Sequence, residues 1–258
     1  MNKLNFISGL PRAGSTLLAA ILRQNPRFTA SFRSPLEDML RRQVRAASGE
    51  FSSLLADRNT DICRAMVEAY YKDADVAFDT NRAWMLRDSL TEQLFPDHKM
   101  ILCVRGVIDI LNSFEKLHKR NPMMLTGMYD ESHDRDVFTR CTALMSDEGS
   151  VLAPHKALQQ YLAATNITPM IVEYNDLVSN PKGTLKAIYK YLGEADFAHD
   201  FDNVEQIPGA KEYDMEMKTP GLHSVRHEVY KEDSKMLLPQ TIIDGITKQM
   251  PNMEFWRK

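Results

Sequence analysis

The sequence contains no apolar run approaching the roughly 20 residues needed to cross a bilayer. Its N-terminus lacks the apolar stretch of a secretory leader. Both absences lead to the expectation of a cytoplasmic protein with no membrane partner. Cysteine is scarce: Cys63, Cys103 and Cys141 lie far apart and offer neither a metal-ligand nor a redox spacing. Free thiols at so low a number suit a reducing compartment. Excess positive charge is also missing. The formal net charge is −3 over 258 residues, which gives no reason to expect nucleic acid as a partner. Local basic clusters could still hold small anions. No internal repeat, low-complexity tract or long Pro/Gly/Ser linker interrupts the chain, so one domain over residues 1–258 is expected. Hydrophobic residues, at 43%, suffice for a sizeable core. The fifteen methionines read first as core filler, although an adaptable acceptor cleft would use them as well.

What the sequence does contain is concentrated at its start. An apolar-rich run, Leu4-Asn5-Phe6-Ile7-Ser8, is followed by Gly9-Leu10-Pro11-Arg12-Ala13-Gly14-Ser15-Thr16 and then by the helical pattern Leu17 to Leu22. A strand, a glycine-bounded loop and a helix start together present backbone N–H groups to an anion. The spacing from Gly9 to Gly14 nearly fits the Walker A pattern of nucleotide-binding loops. The lysine due after Gly14 is replaced by Ser15, and the nearest cation is Arg12. Such a loop can hold a phosphate-like group but lacks the cation that ATP and GTP hydrolases place on the β- and γ-phosphates.

Further along, strands and helices alternate. A short strand is expected within residues 27–32 and a helix over 35–47. Another helix is expected over 60–72, then a strand from Val76 to Phe78 closing at Asp79, and a helix from Trp84 to Leu94. Lys99 to Val104 is the clearest buried strand. A helix over 107–119, two more within 134–164 and a strand from Thr168 to Tyr174 follow. Asn180-Pro181 opens a helix that ends at Gly193. Residues 205–235 read as loop, and a last helix spans 240–250. This order predicts an α/β fold: a doubly wound parallel sheet with helices on both faces and a P-loop-like nucleotide site. Its ligand belongs at the C-terminal strand ends, where Arg12, Asp79, Arg105 and Tyr174 all fall.

At these residues the chain resembles the sulfotransferases that use 3′-phosphoadenosine 5′-phosphosulfate (PAPS), the tyrosylprotein type and its bacterial relatives in particular. The loop from Gly9 to Leu18 is similar to that family's 5′-phosphosulfate loop. Leu94 to Arg105 resembles its strand leading to the 3′-phosphate site, and Ser113 follows Arg105 at the family's spacing of eight residues. Val172-Glu173-Tyr174-Asn175-Asp176-Leu177, with Pro181 beyond, is similar to its third motif. The resemblance runs to about Gly193. It implies PAPS as donor substrate, held by Pro11, Arg12, Ala13, Gly14, Ser15, Thr16, Arg105, Ser113 and Tyr174. A late-loop cation would add to these, with Arg226 first and Lys218 and His223 behind it. It implies an acceptor that bears a hydroxyl, on a peptide tyrosine, a small molecule or a carbohydrate, and no metal.

Sulfuryl transfer also needs a group to take the acceptor's proton. The tyrosylprotein type uses a glutamate at a place that falls on Arg33 here, so the candidates are Glu37, in the first turn of a helix, and Asp79. Each has a plain structural alternative as a helix-start or helix-cap carboxylate. Arg82 stands where relatives place a cation for the sulfuryl group. His223 and His227 are four apart, but no third ligand is suitably spaced, so a metal site is not expected. Arg33 leaves room for an acidic acceptor. The alternatives to a sulfotransferase are a small-molecule kinase on a degenerate P-loop and a non-catalytic nucleotide-binding module. The oligomeric state stays open, a homodimer included.

Overall fold

The computed structural model describes residues 2–233 and 235–257. The chain runs β1 (Lys3–Gly9), α1 (Ser15–Leu22), β2 (Phe28–Ala30), α2 (Leu36–Ala47), α3 (Ser52–Leu55), α4 (Asn59–Tyr70) and β3 (Val76–Thr80). A 3₁₀ turn (Arg82–Leu86) precedes α5 (Asp88–Leu94), β4 (Met100–Val104) and α6 (Val107–Arg120). A second 3₁₀ turn (Glu131–His133), α7 (Val137–Leu144), α8 (Leu152–Ala164), β5 (Met170–Glu173), α9 (Tyr174–Ser179), α10 (Pro181–Leu192), α11 (Ala210–Glu216) and α12 (Gln240–Gln249) follow. The strands form one parallel sheet in the order β2-β3-β1-β4-β5. Every residue of β4 is fully buried, although alternate side chains point to opposite faces. Both faces are therefore covered, as a parallel sheet requires. The fold is the expected α/β arrangement.

β1 is the central strand, and the chain leaves it toward β2 on one side and reaches β4 on the other. Arg12 follows β1 and Arg105 follows β4, so both stand at this switch point. Gly9 pairs with Cys103 in register. It has φ of 117°, and a Cβ there would lie 2.1 Å from the Cys103 carbonyl oxygen. The Leu10 N–H donates to that same oxygen at 2.8 Å. Only a residue without a side chain permits this approach.

Three expectations of local structure differ. The stretch predicted as one helix from Trp84 divides into the 3₁₀ turn and α5, because the Asn81 side chain accepts the Ala83 N–H at 3.0 Å and starts a tight turn. Tyr174 opens α9 and does not close β5. The segment 205–235 contains α11, whose seven residues bury only Ala210 and Asp214 and so give too little apolar periodicity to see.

The close approach at Gly9 gives a direct test. Gly9→Ala is expected to cost about 2–4 kcal/mol, from overpacking plus a left-handed φ. Gly245→Ala, inside α12 with no atom within 4 Å of the added methyl, is expected to gain about 0.5–1 kcal/mol. Urea unfolding of both variants checks the pair, and a Gly9→Ala midpoint equal to wild type contradicts the constraint.

Candidate active site

A cleft of about 580 Å³ opens over the C-terminal ends of the strands. One end is built by the loop after β1. Gly14, with φ of 90°, begins α1 without any side-chain cap. The first N–H groups of that helix therefore remain available to an anion, at the positive end of the helix dipole. Pro11, Arg12, Gly14, Ser15 and Thr16 line the cleft, whereas Ala13 is wholly buried beneath the loop. A Cβ on Gly14 would lie 2.9 Å from the Tyr174 ring, so α9 closes the loop from behind.

Arg12 has φ of 56°, a left-handed backbone that turns its side chain across the cleft. Its Nε donates to Ser113 Oγ at 3.1 Å, and its Nη1 to the Leu222 carbonyl. Arg105 Nη1 donates to the Arg12 carbonyl at 3.1 Å, and the guanidinium lies 4.2 Å from the centre of the Tyr174 ring. Every one of these partners is neutral. Among the described residues no carboxylate stands within salt-bridge distance of either guanidinium. Burial and then the neighbouring Arg105 push the Arg12 pKa down to about 10. Burial also lowers that of Arg105. Arg105 Nε and Thr80 Oγ1 are buried without a hydrogen-bond partner. Two cations taken out of water with no counter-charge are costly. An anion in the cleft would satisfy both.

A family model described as the sulfotransferase family matches residues 6–198, well over half of the chain. The chain belongs to the sulfotransferase family. Comparison with curated protein sequences gives no match. The solved structures that resemble this sulfotransferase include the sulfotransferase domain from the curacin biosynthetic pathway, at 14% identity and a TM-score of 0.58 over 97% of this chain and 98% of that one. The sulfotransferase domain from the Synechococcus PCC 7002 olefin synthase aligns at 18% identity and a TM-score of 0.50, over 96% and 94%. Sulfotransferase STF9 from Mycobacterium avium aligns at 12% identity and 0.52, over 97% and 76%. At these identities the likeness is one of fold.

The structure does not bring all the expected site residues together. Ser113 is held by Arg12, not by Arg105. Arg226 lines the cleft but is paired with Glu232 and lies over the Tyr230 ring. Lys218 lies outside the cleft lining. The carboxylates named for proton removal are both displaced. Glu37 is nearly buried, accepts from Arg87 Nε at 2.8 Å and does not line the cleft. Asp79 is wholly buried, with one oxygen accepting from Trp84 Nε1 at 2.7 Å and the other from the Tyr71 hydroxyl at 2.8 Å. The reason is local. A buried indole and a buried phenol each need an acceptor, and Asp79 supplies both. Arg82, in contrast, is exposed on the cleft wall. Lys116 and Arg120, one turn apart on α6, also line the cleft. Sequence reasoning missed them, although their place three and seven residues after Ser113 put them on its helix face. His223 lines the cleft as well, beside Phe32 and Tyr213. No helix among the described residues is long and apolar enough to cross a membrane.

Asp79 thus belongs to the core. Asp79→Ala is expected to cost about 2–5 kcal/mol, by leaving two buried donors unpaired. Burial raises its pKa, so the native state holds that proton more firmly than the unfolded chain does. Its contribution is then most favourable at acid pH and declines as pH rises above about 4, the unfolded value, through the folded pKa. Relative to Asp79→Asn, wild type is expected to lose stability across that window. Urea titrations at a series of pH values check the sign.

Proposed function

We propose that this sulfotransferase moves a sulfuryl group from PAPS to an acceptor hydroxyl. The observation that carries the reading is the pair of half-buried guanidiniums, Arg12 and Arg105, with only neutral hydrogen-bond and ring partners. They stand at the ends of adjacent strands and mark two anionic groups on one ligand. The uncapped start of α1 and Arg12 suit the 5′-phosphosulfate. Arg105, stacked on Tyr174, suits the 3′-phosphate, with Lys116 and Arg120 on the neighbouring helix. Ser15 in place of the P-loop lysine, together with the family match, favours sulfuryl over phosphoryl transfer. The transferred group needs stabilisation of charge on the departing phosphate oxygen, and a fixed guanidinium supplies it without reorganisation.

The other end of the cleft takes the acceptor. Arg33 and Arg82 are exposed there without an acidic partner among the described residues. They favour an acceptor with negative charge near its hydroxyl, on a peptide or on a small molecule.

Adenosine 3′,5′-bisphosphate is expected to raise the melting temperature well above the shift given by 5′-AMP. Ligand at 100-fold over its Kd stabilises by about 2.7 kcal/mol. Arg105→Ala should remove most of the difference. Equal shifts from the two nucleotides in wild type contradict the assignment of the 3′-phosphate.

Arg12 is expected to act mainly in the transition state. Arg12→Ala should lower kcat by about 10²–10³-fold with a smaller effect on bisphosphate affinity. Labelled PAPS with a panel of neutral and anionic hydroxyl acceptors, assayed in the presence of EDTA, measures this. An unchanged kcat with a raised KM would show that Arg12 merely binds, and activity lost on chelation and restored by metal overturns the metal-free reading.

A further inference from the structure

The cleft holds one group suited to proton removal that neither the family motifs nor the strand ends supply. His223 lies in the turn after α11. Its Nδ1 is 2.6 Å from Asp214 Oδ1, and its backbone N–H donates to Asp214 Oδ2 at 2.8 Å. Asp214 sits on α11 with a side chain only 2% exposed, while the His223 side chain is 18% exposed toward the cleft. A carboxylate carries no proton, so the proton between the two must sit on Nδ1. In the neutral imidazole Nε2 is then the ring nitrogen with a lone pair, and among the described residues no protein group bonds to it. Phe32 and Tyr213 pack beside the imidazole at ring distances of 5.1 and 5.6 Å and hold its plane.

Its position along the cleft is fixed as well. The preceding carbonyl, that of Leu222, accepts from Arg12. The ring is therefore tied, one residue away, to the guanidinium placed at the transfer site. The carbonyl of His223 accepts from Gln206 Nε2 at 2.9 Å, and the Val225 N–H donates to Gln206 Oε1 at 2.8 Å. The turn is braced on both sides of the imidazole. Arg33 lies over the Tyr213 ring at 5.3 Å. The charged and titratable groups near His223 include Asp214 and Tyr213 from α11, Arg33 from the loop after β2, Arg12 from the loop after β1, and Arg82 beside Arg33 and Tyr213.

We propose that His223 takes the proton of the acceptor hydroxyl and that Asp214 is its positioning residue. The proposal rests on the PAPS reading above. In the step, the acceptor O–H bond breaks and its proton passes to His223 Nε2. The acceptor oxygen forms a bond to sulfur. The bond between sulfur and the 5′-phosphate oxygen breaks, and its electron pair leaves with the phosphate beside Arg12. Nothing is oxidised or reduced. Asp214 fixes the tautomer that leaves Nε2 unprotonated and balances the imidazolium that forms. An amide in its place could accept at one atom only, and its N–H₂ would favour the opposite tautomer.

The experiment uses labelled PAPS with phenol and 4-nitrophenol as paired acceptors. The melting shift given by adenosine 3′,5′-bisphosphate serves as the check on folding and donor binding. His223→Gln and His223→Ala are expected to lower kcat toward phenol by about 10²–10⁴-fold and to keep the melting shift. The loss toward 4-nitrophenol, which needs less help to lose its proton, is expected to be smaller. Added imidazole should restore part of the rate of His223→Ala and none of the rate of Arg12→Ala. Asp214→Asn should lower kcat with the KM for PAPS unchanged. A His223→Gln kcat within tenfold of wild type, with the shift intact, overturns the base and leaves the donor reading standing. Equal losses toward both phenols with no response to imidazole also overturn it. Wild-type protein that neither shifts with the bisphosphate nor turns over PAPS overturns the donor reading and the base with it.

Discussion

The backbone contact between Gly9 and Cys103 decides where everything else in the cleft stands. β1 ends against β4 so closely that no Cβ fits between them. The chain then has to turn over the edge of both strands, and the Leu10 N–H bond to the Cys103 carbonyl pins that turn. Two residues on, Arg12 takes a left-handed backbone, and two further, Gly14 does the same and opens α1. Arg105 meets the carbonyl of Arg12 because it leaves β4 two residues after Cys103. The two guanidiniums are neighbours through backbone geometry, against their mutual repulsion. A protein that needed only stability would not keep them there.

That repulsion is informative about state. Burial and Arg105 bring the Arg12 pKa to about 10, which still leaves it charged at neutral pH. Its partners, a serine hydroxyl and a backbone carbonyl, orient the fork but contribute no negative charge. The cleft accordingly carries a fixed positive field with low-dielectric walls, the arrangement that draws in an anionic ligand and strengthens contact with it. Asp109, Glu228, Glu232 and Asp233 also line the cleft, and of these Glu232 is engaged with Arg226.

The sheet and the loop after β1 were legible in the sequence because both depend on local signals. Gly9, Gly14 and the apolar runs of β1 and β4 act within a few residues of themselves, and so do Asn180, Pro181 and Gly193 at the ends of α10. The proposed proton-accepting group was not legible, for two physical reasons. A carboxylate at a strand end looks the same in sequence whether it faces ligand or core. Asp79 faces the core because Trp84 and Tyr71 present it with donors, and the indole five residues downstream was the signal available. Glu37 was claimed in the same way by Arg87, fifty residues away, a pairing that no local pattern announces. His223 was visible only as a late-loop cation behind Arg226 and as one of two histidines four apart, since the helix that carries Asp214 is too short to show a period.

The cleft is thus assembled from two parts with different origins in the chain. Arg12, Arg105, Ser113 and Tyr174 come from the sheet and the helices that follow its strands, all within residues 6–198 where the family model matches. Asp214, Leu222, His223 and Arg226 come from beyond that stretch. The bond from Arg12 to the Leu222 carbonyl joins them. Membership of the family therefore bears on the part of the cleft that holds Arg12 and Arg105 and says little about the late segment. The late segment is nonetheless anchored: the Val204 N–H to the His227 carbonyl and the Val229 N–H to Phe201 brace it internally, while Asn121 Nδ2 to Pro220 and Gln24 Nε2 to Asp200 tie it to the rest of the chain. Among the described residues the buried Asp214 carboxylate bonds to His223, one residue from the Leu222 carbonyl that accepts from Arg12.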